Sequence, residues 1–335
     1  MPEISVLAPD GVGEVRPGTD LAALVTELLD LRDGDVVVVT SKVVSKAEGR
    51  TRPGDDASYS AALEEETVRV VARRGATRIV RNRLGLVMAA AGIDRSNVEA
   101  GTLVLLPEDP DAFARALREQ LLARTGRNIG VVVTDTAGRA WRDGQTDIAI
   151  GCAGLSPVQQ FAGTVDSYGN PLAVTLPAVA DEIAGAAELA QGKLGGRPLA
   201  RLRGRADLVL PVGEHGPGAI SLQRAEGADL FGFGAREAVL TALSGDPTWH
   251  HVFGSPALRE EFVAALRRVA PDLAVRRGEP DDDALAVDLP TGVPVVVLDA
   301  VAVSHGWRHA ASEDAPGALE MSHLTHSARF LPVGP

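Results

Sequence analysis

Cysteine, aromatic side chains, long apolar runs and surplus positive charge are all scarce in this sequence, and each scarcity excludes something. Cys152 is the only cysteine in 335 residues, so no disulfide can form within the chain. A reducing compartment, the cytoplasm, is the expected setting. Followed by Ala-Gly, Cys152 reads as a small buried residue rather than a nucleophile. Aromatics make up only 4% of the chain, so its core must come from Ala, Val, Leu and Gly, a composition suited to thin helices packed on sheets. No apolar stretch approaches the roughly 20 residues that span a bilayer, and Met1 to Asp10 has neither the basic start nor the apolar centre of a signal peptide. No membrane partner is expected. The net charge of -12 argues against a general nucleic-acid binder, because counterion release requires a basic surface. A polyanionic ligand would have to be held locally by a metal ion, by clustered Arg and Lys, or by backbone N–H groups at a loop-to-helix turn.

With 45% hydrophobic residues, the chain is long enough to bury a sizeable core. Leu21, Leu24, Val25, Leu28 and Leu29 recur at helical spacing after Thr19-Asp20, which predicts a helix over 19–31. Asp35 to Thr40 is a continuous β-branched run of the kind found in sheets covered on both faces. The alternation then continues, with helices expected over 61–73, 84–91 and 112–123 and strands over 77–80, 102–106 and 129–134. This order predicts an α/β class with mixed sheets. After Gly151 the pattern loosens, leaving a helix over 180–190, a strand over 199–202 and a helix over 235–244. Gly245-Asp-Pro-Thr marks the expected boundary between a domain over 1–244 and a small α/β appendage over 245–335. In the appendage the pattern predicts a helix over 256–269, with Ser255 as N-cap and Pro256 at N1, and a strand over 293–298. Asp281 to Asp283 reads as a solvated turn.

Three segments carry chemistry. The first, Thr40-Ser-Lys-Val-Val-Ser-Lys-Ala-Glu-Gly-Arg50, follows the valine strand at the carboxyl edge, where α/β sheets place their ligands. Its hydroxyls and ammonium groups suit phosphate oxygens, although Gly-x-x-x-x-Gly-Lys-Ser/Thr does not occur and a plain polar turn reads equally well. In the second, Arg81-Asn-Arg-Leu-Gly-Leu leads through small residues to Gly92-Ile-Asp-Arg-Ser-Asn97. Asp and Asn after a glycine ordinarily make a turn. The third is the strongest: Val131-Val-Val-Thr-Asp-Thr-Ala-Gly-Arg-Ala-Trp-Arg-Asp-Gly-Gln-Thr-Asp147. Here an apolar strand delivers Asp135 to the sheet edge, where a hard divalent cation can bridge a carboxylate to nucleotide phosphates. Arg139 and Arg142, expected in a glycine-containing loop, have the fork geometry that clamps carboxylate or phosphoryl oxygens.

Taken together in this order and spacing, these motifs resemble the coenzyme F420-0:L-glutamate ligase family. Asp166-Ser-Tyr-Gly-Asn170, Ala180-Asp-Glu-Ile183 and the Leu230-Phe stretch extend the likeness to about residues 3 to 244. The resemblance implies that GTP and a divalent cation, Mg2+ or Mn2+, often with K+, drive amide-bond formation between L-glutamate and the carboxylate of coenzyme F420-0. It also implies an intertwined homodimer. By the same resemblance Val12, Gly13, Glu14, Val15, Ser41, Lys46 and Asn97 contact GTP, the turn Gln191, Gly192 and Lys193 closes over it, and Asp94, Asp135 and Thr136 hold the metal. Lys193 stands where some members have Gln, which puts a second metal ligand there in question. Asp135, Arg139, Arg142 and Asp147 are the candidate catalytic residues, and an acyl phosphate is the expected intermediate. The alternative is a non-catalytic module that holds a nucleotide or deazaflavin without turning it over.

About 90 residues follow Gly245, too few for a nitroreductase-like flavin domain. Six of the seven histidines lie in this stretch, at His250, His251, His305, His309, His323 and His326. The spacings His305-x-x-x-His309 and His323-x-x-His326 occur in metal sites. With no cysteine or clear carboxylate partner near them, surface or packing roles are the simpler expectation.

Overall fold

In the first half of the chain, strand and helix alternate at short intervals. The elements are β1 (Ser5–Leu7), α1 (Leu21–Leu28), β2 (Val36–Thr40), α2 (Ser41–Glu48), β3 (Thr51–Pro53), α3 (Asp56–Glu66), β4 (Thr67–Arg74), β5 (Thr77–Asn82), β6 (Val87–Ala89), β7 (Thr102–Val104), α4 (Pro110–Thr125), β8 (Gly130–Arg139), β9 (Arg142–Ala153), α5 (Val179–Gln191) and β10 (Leu199–Arg203). This computed structural model describes residues 3–95, 100–225, 227–276, 284–289, 292–310 and 326–333. It divides into units Met1–Gln223 and Arg224–Pro335.

The main sheet of the first unit has the order β1-β10-β2-β8-β9, with β2 and β8 parallel and the other pairs antiparallel. The mixed α/β class is therefore the observed one. Val36 to Val39 are fully buried because alternate side chains enter different layers. Val37 and Val39 pack with Val25 of α1, Val44 of α2 and Leu121 of α4, whereas Val36 and Val38 pack with Ile183 and Ala187 of α5. A strand covered on both faces has no polar side, which is why this run contains no alternation. Helix α4 starts where Asp109 accepts the Ala112 N–H at 2.9 Å and stops at Gly126, whose φ of 68° lies in the left-handed region.

Several expectations are corrected. The helix expected over 61–73 ends at Glu66, because Thr67-Val-Arg-Val-Val71 is a β-branched run that forms β4. The helix expected over 84–91 is a turn followed by β6. The Asn82 side-chain carbonyl accepts the N–H groups of Leu84 and Leu86, both at 3.0 Å, and this fixes a local turn in place of a helix. The supposed loop after Thr134 is a continuous hairpin, β8 running to Arg139 and β9 returning from Arg142 to Ala153. The pairing reaches Arg139 and Arg142 across a bulge, so Gly138 is a paired strand residue opposite Gln145 and Gly144 lies in the bulge of β9.

The second unit contains α6 (Ala235–Ser244), α7 (Arg259–Val269), β11 (Ala274–Val275), β12 (Leu285–Leu289), α8 (Val295–Ser304), β13 (Trp307–His309) and β14 (His326–Pro332). Its antiparallel sheet, β11-β12-β14-β13, shares a core with Phe262, Leu266, Leu298, Trp307 and Phe330. By compactness the chain passes from the first unit to the second between Gln223 and Arg224, and within the second unit α6 packs on α8. The expected strand over 293–298 is the start of α8. Short apolar runs do not distinguish strand from helix, and here the run continues to Ser304 without a breaker. Helix α7 begins at Arg259, with Glu261 accepting the Leu258 N–H at 3.2 Å, so Ser255 and Pro256 lie ahead of it. The acidic run Asp281 to Asp283 lies outside the described residues.

Candidate active site

A cleft of about 690 Å³ opens where β2 ends beside the second half of β8, and five chain segments line it. These are Val12 to Val15, the first turn of α2 with Lys46, the stretch from Met88 to Asp94, the β8–β9 ribbon at Thr134 to Gly138 with Gln145 and Asp147, and the end of α5 through Pro198. Parallel pairing places Thr40, the last residue of β2, beside Thr134, from which β8 runs on past β2 toward Arg139. Ser41 and Asp135, one residue further on, therefore meet in the cleft.

The Ser41 hydroxyl donates to Asp135 Oδ1 at 2.7 Å. Lys42 Nζ lies 2.7 Å from Asp94 Oδ2, and Lys46 Nζ 2.7 Å from Glu14 Oε1. Across the ribbon, Asp147 accepts from the Thr136 hydroxyl at 2.7 Å and from the Thr134 hydroxyl at 3.1 Å, while Glu188 accepts the Asp147 N–H at 3.0 Å. Lys193 Nζ donates to Thr136 Oγ1 at 3.1 Å. Burial pushes the Asp135 carboxyl up to about 7, and the nearby Asp147 and Asp94 carboxylates add to this against the Ser41 hydroxyl and the Lys42 ammonium. Lys46 has the opposite effect on Glu14, whose pKa its hydrogen bond and charge lower.

The floor of the cleft is strained. Ala90 and Ala91 have φ of 51° and 57°, followed by Gly92 at 82°, giving a short left-handed turn that leads to Asp94. Such backbone is costly for alanine and persists where surrounding contacts impose it. Here the Asn82 amide donates to the Ala91 carbonyl at 3.2 Å, and Asp94 exchanges both backbone hydrogen bonds with Val104. Gln191 is 5% exposed and lines the cleft, and its amide nitrogen has no hydrogen-bond partner among the described residues.

Asp94, Asp135 and Thr136 offer the hard oxygen donors that Mg2+ or Mn2+ takes, and burial makes the Asp135 charge costly where no cation meets it. That donor set fits a divalent ion. Among the described residues no group of three or more His, Cys, Asp or Glu forms a closed metal cage, so phosphate oxygens and water would complete the coordination, as Mg2+ prefers.

The structure gathers most of the residues singled out from sequence. Val12, Gly13, Glu14, Val15, Ser41, Lys46, Gln191, Gly192 and Lys193 share the cleft with Asp94, Asp135, Thr136 and Asp147. Arg139 and Arg142 lie beyond its lining, at the hairpin tip, where Arg139 Nη2 donates to the Asp143 carbonyl at 2.7 Å. Asn97 lies outside the described residues. Sequence reasoning counted the Lys42 ammonium within the Thr40 to Lys46 block without giving it a role of its own, and it passed over Glu188, which only the position of α5 brings to Asp147. In the second unit His305 Nδ1 lies 2.8 Å from the Val301 carbonyl and His309 Nδ1 3.2 Å from Asp299, so these two histidines have separate partners. His323 lies outside the described residues.

Comparison with known proteins agrees with this geometry. The profile of the F420-0:gamma-glutamyl ligase family matches residues 11–204, the stretch that holds the whole cleft. The chain is 39% identical over 219 residues to the coenzyme F420:L-glutamate ligase of Archaeoglobus fulgidus, covering 60% of this chain and 88% of that one. It is 40% identical over 223 residues to the enzyme of the same name from Haloarcula marismortui, covering 60% and 87%, and 40% identical over 209 residues to that of Methanopyrus kandleri, covering 57% and 83%. The chain belongs to the F420-0:gamma-glutamyl ligase family.

Proposed function

We propose that the first unit joins L-glutamate to coenzyme F420-0 in the biosynthesis of coenzyme F420, with GTP as phosphoryl donor. The observation that carries this reading is the meeting of the α2 N-terminal turn, with Ser41, Lys42 and Lys46, and the carboxylates Asp94 and Asp135 in one cleft. A helix N-terminus with flanking ammonium groups suits phosphate oxygens. A carboxylate does not react with an amine unless one of its oxygens is made a leaving group. An acceptor carboxylate oxygen attacks the γ-phosphorus and GDP departs; the glutamate amine then attacks the acyl carbon and phosphate departs. Lys42 and Lys46 hold phosphate oxygens, and Asp147, oriented by both threonine hydroxyls, is placed to receive the amine proton. A divalent ion held by Asp94, Asp135 and Thr136 would neutralise phosphate charge when bound. Arg139 and Arg142 would reach a substrate carboxylate only from the exposed tip.

Homodimer formation belongs to the same proposal. Trp141 at the hairpin tip is 86% exposed, as are Tyr168 at 91% and Val174 at 93%. Apolar surface of this kind favours pairing of two copies. The direct test incubates the protein with GTP, Mn2+, K+, L-glutamate and F420-0. The expected result is sustained, multiple-turnover GDP release that requires both glutamate and acceptor, with a product one glutamyl residue heavier by mass spectrometry. GDP release that ignores glutamate, or no release at all, refutes the reading.

A further inference from the structure

Among the described residues four cations line the cleft, Lys42, Lys46, Lys193 and Arg197, and each stands against an oxygen of the protein itself. Two of these contacts fall on the donor set assigned to the divalent ion. Lys42 Nζ lies 2.7 Å from Asp94 Oδ2, and Lys193 Nζ donates to Thr136 Oγ1 at 3.1 Å. The third donor, Asp135, takes the Ser41 hydroxyl at 2.7 Å. The other two cations have different partners: Lys46 pairs with Glu14 and Arg197 with Asp10, neither of which belongs to that set.

A divalent ion and an ammonium group make incompatible demands on one oxygen. Mg2+ holds its oxygens at about 2.1 Å, and two cations crowded on a single carboxylate oxygen repel each other strongly. The ion therefore takes Asp94 Oδ2 only as Lys42 leaves it. Thr136 Oγ1 is similarly committed, since it gives its proton to Asp147 Oδ1 at 2.7 Å and accepts Lys193 on one of its two lone pairs. Lys42 has a second place to go. It is rooted in the first turn of α2, beside the N–H groups that suit phosphate oxygens, and its flexible stem lets the ammonium swing from Asp94 to a phosphate without moving the helix. Lys193 is exposed in the turn that follows α5, and its stem allows the same exchange.

We propose that Lys42 and Lys193 are exchangeable counterions of the metal site, which cover Asp94 and Thr136 until metal and nucleotide bind together and then pass to the phosphate oxygens. Without a nucleotide, a divalent ion displaces two ammonium groups that have no anion to receive them. With a triphosphate present, the same groups gain phosphate oxygens as the ion takes their former partners. Metal and nucleotide therefore bind with a coupling greater than their direct contact supplies, and by linkage each raises the affinity of the other by the same factor. The inference rests on the ligase reading above, from which it takes the nucleotide and the divalent ion, and adds how the site discriminates against a metal ion that comes alone.

The test titrates the full-length protein with MnCl2 at one protein concentration and one ionic strength, reading free Mn2+ by electron paramagnetic resonance, first without nucleotide and then with the non-hydrolysable GTP analogue GMPPNP. Without nucleotide, Lys42→Met should bind Mn2+ at least about tenfold more tightly than the parent, because the carboxylate loses its competing cation. Lys193→Met should gain about threefold, its contact being with a neutral hydroxyl. Lys42→Arg keeps the charge and should stay near the parental affinity. Lys46→Met removes the same charge from the cleft but not from the donor set, and should change nucleotide-free affinity by less than about twofold. GMPPNP should raise Mn2+ affinity by a larger factor in the parent than in Lys42→Met. Unchanged nucleotide-free affinity in Lys42→Met overturns the proposal, as does equal tightening in Lys46→Met, which would reduce the effect to overall cleft charge. If melting shows Lys42→Met to be unfolded, the exposed Lys193→Met decides, and unchanged affinity there overturns the proposal as well. A parent that transfers glutamate while Lys42→Met binds Mn2+ no more tightly removes the exchange alone. Tighter Mn2+ binding by Lys42→Met, with a parent that transfers no glutamate, removes the ligase reading alone.

Discussion

Asp135 sits on β8 one residue past the end of the neighbouring β2, where water is sparse, so its charge is costly unless a cation answers it. Asp135→Asn keeps the size and removes the anionic oxygen a hard ion prefers, and glutamate transfer should fall by about two powers of ten or more. Stability should respond in the opposite sense. The folded carboxyl titrates near 7, above its ordinary value, so between about pH 4 and 7 the native state holds a proton that the unfolded chain has lost. The metal-free parent should therefore lose stability as pH rises through that window. The asparagine variant should lack this component, and melting curves at pH 5 and pH 8 would show its relative gain at the higher pH. A variant that unfolds, or one that retains parental turnover, would make Asp135 a structural residue. The left-handed turn offers a second residue-scale test. Ala90→Gly should raise stability by about 0.5–1 kcal/mol in urea unfolding, because glycine relieves the left-handed conformation at a smaller entropic cost. Gly92→Ala should do the reverse, since φ is 82° and an added Cβ would lie 2.6 Å from Leu106 Cδ1.

Among the elements, the segment from Asn82 to Asp94 depends on one side chain. Asn82 is 1% exposed, turns the chain at Leu84 to Leu86 and holds the Ala91 carbonyl. Asn82→Ala leaves those groups without their partner and should cost about 2–4 kcal/mol by denaturant unfolding, with faster amide exchange at Leu84 and Leu86. The same residue explains why this segment was misread. Leu84 to Ala91 has helical composition, but a buried amide that competes for backbone N–H groups leaves no period in the sequence. By contrast the valine strand was legible, because burial on both faces removes every polar residue from it. Asp94, Asp135 and Asp147 were legible as motif residues, whereas the pairing of Lys42 with Asp94 was not. It depends on α2 and the strained turn facing each other, a matter of packing rather than of spacing. The helix start at Arg259 was missed for a similar reason: Ser255-Pro256 is a good local signal, but the helix starts where Glu261 reaches Leu258.

At the scale of the whole molecule, the family match ends at residue 204, inside a unit whose cores draw only on its own residues. A chain ending at Gln223 should therefore stay folded and transfer glutamate. Folding without transfer would place part of the second unit in the reaction. The β8–β9 ribbon joins two further matters. Asp135, Thr136 and Asp147 sit partway along it, and three residues beyond Thr136 β8 ends at Arg139, with the exposed Trp141 in the turn before β9. A paired ribbon behaves as a stiff beam, so whatever fixes the tip also steadies the carboxylates. If a second copy fixes it, Mn2+ affinity will depend on protein concentration, falling on dilution as the copies part, and Trp141→Ser will reproduce the dilute state at any concentration.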